Sequence, residues 1–340
     1  MKILFASTYI PPIAGGAEKV VWEIARRMAE YKNVEVDIAT IGDKKFEKRE
    51  NVNIHYFPKK PLLTLYYSTI GKKTVDDLFN KKSYDIIHVH ILLPWLYLFR
   101  NKPGVKILTC HGDEVYNLRW YEKYYTKVAL KSATAITSPS HWLLEEAQKS
   151  FERSVKYIAN GVDTGEFVPS SNKTENYIFF YGRYIERKGF FELVNVAKSL
   201  PNYEFWFAGE GHLSYKLNLP NTKNLGYKNG TELIHLVQKA RICVFPSHWE
   251  NMPLVGLEAL SCGKAIIATE KGFSEIIENG KSGIIIPPKD EESLKHAIVT
   301  LMEDDKLKHN LEKNARKKSA IYDWKEIAKQ YFLLYENLLE

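Results

Sequence analysis

The chain alternates short apolar runs with amphipathic helical patterns, and it does so in two successive blocks. The first block holds MKILFAS, VEVDIATIG, YDIIHVH, VKILTCHG and TAITSPS, and the second holds YIFFYGR, YEFWFAGEG, RICVFPS, KAIIATE and GIIIPP. Apolar runs of this length between helical segments are typical of strands buried on both faces of a parallel sheet. The pattern therefore predicts an α/β chain with two doubly wound, Rossmann-like domains that face one another across a cleft.

Length and composition fit two soluble domains. A chain of 340 residues exceeds what most single hydrophobic cores contain. The polar stretch Asp163–Asn176 has no periodic pattern, which is typical of a linker. We therefore expect a first domain over residues 1–165 and a second domain over residues 166–322.

Cysteine content and hydropathy predict a cytoplasmic protein without a membrane span. The three cysteines are widely spaced, and Cys110 and Cys243 fall in predicted strands, which disfavours a disulfide framework or a zinc site. The longest apolar runs reach about half of the ~20 residues that a membrane-spanning helix requires. MKILFAS predicts a first strand rather than a signal peptide, since no long apolar core and cleavage site follow it.

The net positive charge of the chain lies entirely in its first half. Residues 1–165 carry 25 Lys and Arg against 18 Asp and Glu, whereas the remainder carries 23 of each. Two interpretations stay open: a chance asymmetry of a soluble surface, or contact between this half and an anionic partner.

Three glycine-containing loops follow predicted strands and can approach a ligand closely. Gly15 and Gly16 open a helix whose first amides are available to phosphate. FYGRYIERKGF places Arg183 and Lys188 on one loop, where two cations suit a diphosphate. FAGEGH places Gly209 just beyond another strand. Each loop on its own is also compatible with an ordinary turn or a solvated surface.

Two glutamates flank the start of a predicted helix in WENMPLVGLEALSCG. If all the intervening residues were helical, the Cα atoms of Glu250 and Glu258 would lie about 12 Å apart. Carboxylate pairs that act on one glycosidic bond are roughly 5–9.5 Å apart. The spacing favours two contacts at opposite ends of an extended ligand, with the amides of Leu254 and Val255 between them. A pair of exposed acids beside a helix is the alternative.

His111 follows the strand VKILTC at its C-terminal end, in CHGDE. The carboxyl ends of parallel strands form the binding edge of such sheets, which favours a functional role. A packed or surface histidine is the alternative.

Together these segments resemble the retaining GT-B glycosyltransferases of the group that contains bacterial glycogen synthases and many mannosyl- and glucosyltransferases (glycosyltransferase family 4, or group 1). The matching segments run in order along nearly the whole chain: PPIAGGAE, HGD, ANGVD, YGRYIERKG, FAGEGH, WENMPLVGLEALSCGKAIIAT and DWKEIAKQYFLLY. The most specific is the pair of glutamates eight positions apart, because it occurs together with the upstream Arg and Lys-Gly loop.

The resemblance implies roles for several residues. Glu258 would bind the ribose of the donor nucleotide and Glu250 the transferred sugar. Arg183 and Lys188 would neutralise the diphosphate, and both would belong to the catalytic centre together with Glu250. His111 would lie against the reacting sugar.

The resemblance also implies a phosphate cradle and a closing helix. Gly16 and the amides of Leu254 and Val255 would hold the phosphates, with Gly15 and Gly209 in the same donor site. Residues 323–340 would form a helix that crosses back to the first domain. Asn251-Met252-Pro253 replaces the Gly-Phe-Gly of many members, which leaves the identity of the donor open.

The expected chemistry is hexose transfer from a UDP- or GDP-sugar with retention and without a metal or other cofactor. No Asp-x-Asp sequence occurs in the chain, so the usual metal clamp for a diphosphate has no candidate. Cationic side chains and a helix N-terminus would stabilise the leaving group instead.

The acceptor is expected to be a glycan, a lipid-linked or another anionic molecule, bound by the basic first domain. Residues 58–73 and 118–133 mix Lys and Arg with Tyr, Trp and Leu, which suits peripheral contact with an anionic membrane. Half-buried aromatic helices of the fold are the alternative.

Four other functions compete with glycosyl transfer. A nucleotide-sugar epimerase or a phosphorylase would use the same architecture. A nucleic-acid-binding protein is suggested by the charge alone, and no nucleic-acid-binding module is recognisable. A dehydrogenase is disfavoured because none of the glycine-containing loops has a full dinucleotide fingerprint.

Overall fold

The structure is a computed structural model that describes residues 1–12, 15–58, 71–90, 93–112, 120–170 and 174–340. The chain forms two compact units. Met1–Asn160 and Trp324–Glu340 make up the first unit, and Gly161–Asp323 makes up the second.

The first unit is built on an eight-stranded sheet. Its strands are β1 (Lys2–Ala6), β2 (Glu35–Ile41), β3 (Phe46–Arg49), β4 (Val52–Phe57), β5 (Ile86–His90), β6 (Val105–Thr109), β7 (Ala135–Ser138) and β8 (Lys156–Tyr157). Its helices within Met1–Asn160 are α1 (Gly16–Met28), α2 (Gly71–Lys81), α3 (Trp95–Phe99), α4 (Trp120–Leu130) and α5 (His141–Phe151). The strand order is β3-β4-β2-β1-β5-β6-β7-β8, and only the β3–β4 pair is antiparallel.

The second unit is built on a six-stranded parallel sheet. Its strands are β9 (Tyr177–Tyr181), β10 (Glu204–Ala208), β11 (Thr222–Asn224), β12 (Ile242–Phe245), β13 (Ile266–Thr269) and β14 (Ile284–Ile286). Its helices are α6 (Phe190–Ser199), α7 (Gly230–Lys239), α8 (Leu254–Ser261), the kinked α9 (Glu270–Phe273), α10 (Glu291–Glu303) and α11 (Asp305–Ser319). The strand order is β11-β10-β9-β12-β13-β14.

Both sheets are doubly wound, as the strand–helix alternation predicts. The central strands are buried along their whole length, for example β5, β9 and β12. A strand covered by helices on both faces carries apolar residues at nearly every position, which explains the continuous apolar runs in the sequence. The predicted α/β class with two Rossmann-like domains is confirmed.

The last helix, α12 (Trp324–Leu339), belongs to the first unit. The hydroxyl group of Tyr335 lies 2.6 Å from Nδ1 of His88, and that of Tyr331 lies 3.2 Å from Oγ1 of Thr109. The ring of Phe332 stacks on that of Tyr31, with centroids 4.3 Å apart. These contacts hold the helix against the sheet of the first unit.

The division between the units lies at Asn160/Gly161 rather than after residue 165. The Val162 N–H donates to the carbonyl of Tyr322 over 2.8 Å, and Thr164 bonds to the carboxylate of Asp323. The Phe167 ring is buried, and its carbonyl accepts hydrogen bonds from Ser261 and Arg316. The start of the predicted linker is therefore packed into the second unit.

Cys110, Cys243 and Cys262 are buried thiols and form no disulfide. Burial raises the pKa of Cys243 to about 12, so this thiol stays protonated at neutral pH. Among the described residues, no helix combines the length and apolarity needed to cross a bilayer.

Candidate functional site

Strand order reverses in the second unit between β9 and β12, which are neighbours in the sheet. In doubly wound sheets, ligands bind beyond the carboxyl ends of the strands at such a reversal. Residues 182–189 follow β9 there, and residues 246–253 follow β12. These two loops carry Arg183, Lys188 and Glu250, and the fold brings Lys188 and Glu250 together although the sequence separates them.

A glycine allows the two loops to pack against each other. Gly189 has φ +66°, and a Cβ added to it would lie 1.9 Å from the carbonyl oxygen of Pro246. The His248 N–H also donates to the carbonyl of Arg187 over 2.8 Å. Any side chain at position 189 would separate the loops, and this explains the glycine after Lys188.

Glu250 is the centre of a buried charge cluster. Its side chain is only 8% exposed and forms an ion pair with Lys188 through Oε1. Nη1 of Arg187 lies 3.4 Å from Oε2, and the Ser247 hydroxyl donates to Oε1 over 2.9 Å. Burial raises the pKa of Glu250, but the charges of Lys188 and Arg187 outweigh it and hold the pKa below its ordinary value. Glu250 is therefore ionised at neutral pH.

The segment after β13 holds the backbone of Glu250. The Glu250 N–H donates to the carbonyl of Lys271 over 3.0 Å. Gly272 has φ +92°, and a Cβ there would lie 2.4 Å from the carbonyl oxygen of Glu250. Sequence reasoning missed Gly272 as well as Arg187, although a glycine just after a predicted strand was a usable signal.

Helix α8 begins at Leu254, after the extended residue Pro253. Glu250–Pro253 is not helical, so the separation of about 12 Å expected for a continuous helix does not apply. Glu250 is 6% exposed and Glu258 is 5% exposed, which excludes the alternative of two exposed acids beside a helix. The amides of Leu254 and Val255 lie in the first turn, where a helix supplies no intrahelical acceptor.

Arg183 and Gly209 lie on loops that contact each other. Gly209 has φ +150°, and a Cβ there would lie 1.9 Å from the carbonyl oxygen of Gly182. The backbone contact by itself explains the glycine at this position. Arg183 is exposed, and no carboxylate of the described residues forms an ion pair with it.

The first unit also has a strand reversal, between β1 and β5. Helix α1 begins beyond the carboxyl end of β1, at Gly16, with Gly15 before it. A Cβ at Gly16 would meet no atom within 4 Å, whereas one at Gly15 would touch the carboxylate of Glu18. Glu18 places a negative charge beside the predicted phosphate cradle.

His111 lies at this edge within a cluster of three histidines. Nε2 of His111 is 3.1 Å from Nδ1 of His90, and the two rings stack. Burial lowers the pKa of His111 to about 4 and that of His88 to about 3, and it holds the pKa of His90 well below its ordinary value. All three imidazoles are therefore neutral at pH 7. His88 and His90 were missed, although the alternation in IIHVH places both on one face of β5.

His88 and His90 differ in how their ring nitrogens are satisfied. Both nitrogens of His88 have partners, since Nε2 lies 2.7 Å from the hydroxyl of Thr109 and Nδ1 contacts Tyr335. Nε2 of His90 is buried and has no hydrogen-bond partner in the described part of the chain.

The two predicted membrane-contact segments are only partly described. In the first, residues 59–70 lie outside the described residues. In the second, α4 exposes Lys123, Tyr124 and Lys127, and Lys131 is exposed just after it. Tyr124 is 68% exposed. The other side of the helix packs into the core through Ala129 and Leu130. The described part of the helix is therefore half-buried, which is compatible both with membrane contact and with the alternative.

Two family models match consecutive parts of the chain. The model described as Glycosyltransferase Family 4 matches residues 14–166, and the one described as Glycosyl transferases group 1 matches residues 163–318. An uncharacterized glycosyltransferase of Methanocaldococcus jannaschii is 27% identical over 99% of both chains.

Solved structures share the fold over the whole chain. Sucrose-phosphate synthase from Thermosynechococcus elongatus has a TM-score of 0.85 and 21% identity, covering 99% of this chain and 98% of its own. HepE of Anabaena, in complex with UDP-glucose, has a TM-score of 0.80 and 19% identity, covering 99% of this chain and 100% of its own. At such identities the likeness concerns the fold. Because the two family models together span nearly the whole chain, the protein belongs to the group 1 glycosyltransferases with the GT-B fold.

Proposed function

We propose that this glycosyltransferase moves a hexose from a UDP- or GDP-sugar to a hydroxyl group of a glycan, lipid-linked or other anionic acceptor, with retention. The cluster of Glu250, Lys188 and Arg187 at the strand reversal of the second unit carries the proposal. Two cations and one carboxylate leave a net positive charge beside the first turn of α8, which suits a diphosphate. HepE, which has the same fold, binds UDP-glucose.

Cationic side chains of the site support catalysis without a metal ion or another cofactor. The exposed Arg183, together with Lys188 and the first amides of α8, would stabilise the negative charge that develops on the departing diphosphate. Donors that already contact the diphosphate when the bond breaks need no reorganisation during the reaction. We propose that these donors stabilise the diphosphate in place of a metal ion.

Retention fits a front-face displacement. The bond between the anomeric carbon and the diphosphate oxygen breaks, and its electron pair leaves with the diphosphate. The acceptor oxygen bonds to the same face of the sugar and passes its proton to the departing diphosphate oxygen. Glu250 is a poor candidate for a nucleophile because both its carboxylate oxygens are bonded to cations.

A neutral His111 suits a position against the transferred sugar. Positive charge develops on the sugar ring as the leaving group departs. An imidazole whose pKa is about 4 carries no charge at neutral pH and can bind a sugar hydroxyl without opposing that charge.

The exposed stripe of α4 supports action at the cytoplasmic face of an anionic membrane. Lys123 and Lys127 are four residues apart, which places them on one side of the helix, and Lys131 follows just after its end. Basic side chains beside an aromatic ring are typical of interfacial contact. A lipid-linked acceptor would then be reached from the membrane surface.

A panel of UDP-, GDP- and ADP-sugars tests the donor assignment by thermal shift. A UDP- or GDP-sugar should raise the melting temperature, and Glu258→Ala should abolish that rise. Incubation without acceptor separates the rival functions, because an epimerase converts the sugar whereas a transferase releases nucleotide diphosphate only slowly. NMR of the product anomer tests retention, and chelation with EDTA tests the metal requirement. No stabilisation by any sugar nucleotide would refute the donor site.

A further inference from the structure

Glu250 has two cationic partners that are held very differently. The ammonium group of Lys188 is at the end of a flexible four-carbon side chain, and it pairs with Glu250. Arg187 donates to the carbonyl of Trp249 over 3.0 Å, and its guanidinium group lies 4.4 Å from the centroid of the Trp249 ring. Its own carbonyl accepts from the His248 N–H. Lys188 can leave Glu250 by side-chain rotation, whereas Arg187 is fixed beside it.

In the proposed function, Lys188 must change partners when the donor binds. An ammonium group that neutralises a diphosphate moves away from the carboxylate with which it is paired. Glu250 would then be a carboxylate with only 8% of its side chain exposed and one charge partner fewer. Removing one partner of a buried ion pair costs several kcal/mol, and a second cation beside the carboxylate lowers that cost.

We infer that Arg187 is a positioning residue, which keeps Glu250 ionised and in place when Lys188 turns to the donor diphosphate. The inference rests on the proposed function. Arg187 and the Ser247 hydroxyl both stay bonded to Glu250 after the exchange, one at each carboxylate oxygen. The carboxylate then keeps its orientation toward the transferred sugar.

Direct binding of the diphosphate by Arg187 is the competing role. The guanidinium group stacks on Trp249 and is hydrogen-bonded to the carbonyl of the same residue. A move to a ligand would break both contacts as well as the contact with Glu250. The geometry therefore favours a fixed partner of Glu250 over a ligand-binding side chain.

Proton coupling of donor binding distinguishes the two roles. Without Arg187, the departure of Lys188 would leave Glu250 to take up a proton, so binding would consume protons and strengthen as the pH falls. UDP-glucose and GDP-mannose are suitable probes, because both phosphates in each are diesters whose charge does not change between about pH 5.5 and about pH 8. Titration calorimetry in two buffers of different ionisation enthalpy measures the proton uptake.

Arg187→Gln should weaken binding of the active probe at least about tenfold at about pH 8 and couple binding to proton uptake. A double variant that combines Arg187→Gln with Glu250→Gln should bind the probe without proton uptake. Arg187→Lys should also bind it without proton uptake. Arg100→Gln is the matched control, because Arg100 also stacks on an aromatic ring, at 3.8 Å from the Tyr97 centroid, and donates to the Tyr97 carbonyl. It has no ion pair with a carboxylate among the described residues, and its loss should leave binding unchanged.

Three results would overturn the inference while leaving the donor site intact. The first is donor binding by Arg187→Gln that is as tight as that of the wild type. The second is binding by Arg187→Gln that is weakened equally at every pH without proton uptake. The third is donor binding by Arg187→Lys that is coupled to proton uptake. The last variant keeps the charge and so serves the test even where Arg187→Gln does not fold. If neither probe binds the wild type, the proposed donor and the inference fail together.

Discussion

Gly272 lies directly against the backbone of Glu250. A Cβ at position 272 would stand 2.4 Å from the carbonyl oxygen of Glu250 and 2.8 Å from its Cβ. The position of Glu250 at the centre of the charge cluster therefore depends on the absence of a side chain at Gly272. Both the positive φ angle and the close approach require glycine.

We expect Gly272→Ala to destabilise the protein and to weaken donor binding. Gly280→Ala is the matched control, because Gly280 also has a positive φ, +73°, but a Cβ there would meet no atom within 4 Å. The control should lose only the ~1–2 kcal/mol of backbone strain. Urea unfolding and calorimetric titration with a sugar nucleotide measure the two effects. Equal losses of stability in both variants would show that the contact with Glu250 is unimportant.

Glu258→Gln should weaken binding of the sugar nucleotide roughly ten- to hundredfold. Hydrogen bonds to a charged carboxylate are worth roughly 1.5–3 kcal/mol, and the amide keeps the volume of the buried side chain. Glu278→Gln is the control, because the Glu278 side chain is 54% exposed and pairs with Lys281 on the surface. Wild-type affinity in Glu258→Gln would remove Glu258 from the donor site.

The three neutral histidines should make stability depend on pH. Their pKa values in the folded state lie below the ordinary value of 6.5, with His111 at about 4 and His88 at about 3. As the pH falls below about 6.5, the unfolded chain binds protons that the folded chain does not, so the free energy of unfolding decreases. Each such histidine contributes roughly 1.4 kcal/mol per pH unit until its folded pKa is reached.

Urea unfolding between about pH 7 and about pH 5 measures this slope. His88→Phe should lower stability at pH 7 and reduce the slope. His309→Gln, which removes a side chain that is 78% exposed, should leave the slope unchanged. A wild-type free energy of unfolding that stays constant over this range would contradict the neutral state of the cluster.

Replacing Lys123, Lys127 and Lys131 with Gln should weaken partitioning onto phosphatidylserine vesicles at low salt. Each basic residue near an anionic surface is worth about 1 kcal/mol, so the triple variant should lose at least about tenfold. The same replacement of Lys306, Lys313 and Lys317, exposed on α11, changes the net charge equally and is the control. Equal partitioning of the wild type onto neutral and anionic vesicles would refute the membrane contact.

Local patterns in the sequence predicted the architecture and part of the site. The apolar runs that became β9 and β12 are recognisable because buried strands need apolar residues at almost every position. The placement of Glu250 just beyond a strand and of Leu254 in the first turn of a helix followed from the same reasoning. Proline before Leu254 marked the start of the helix, as the structure shows.

The contacts between side chains of the site could not be predicted from local patterns in the sequence. Arg187 and Trp249 are 62 positions apart in the sequence, and His88 and Tyr335 are 247 positions apart. Their pairing depends on the strand order of each sheet and on where the last helix packs. Local patterns therefore could not reveal the pairing of Arg187 with Glu250 or the contact of His88 with Tyr335.

The sequence by itself determined where strands and helices form, that the chain is a two-domain α/β protein, and which charged residues follow strand ends. These properties depend on each residue and its near neighbours, so they can be read along the chain. Only the tertiary structure decided that Glu250 is buried between two cations and held by Gly272. The reason is that β9 and β12 become neighbours in the folded sheet, and burial and ion pairing arise only where their loops meet.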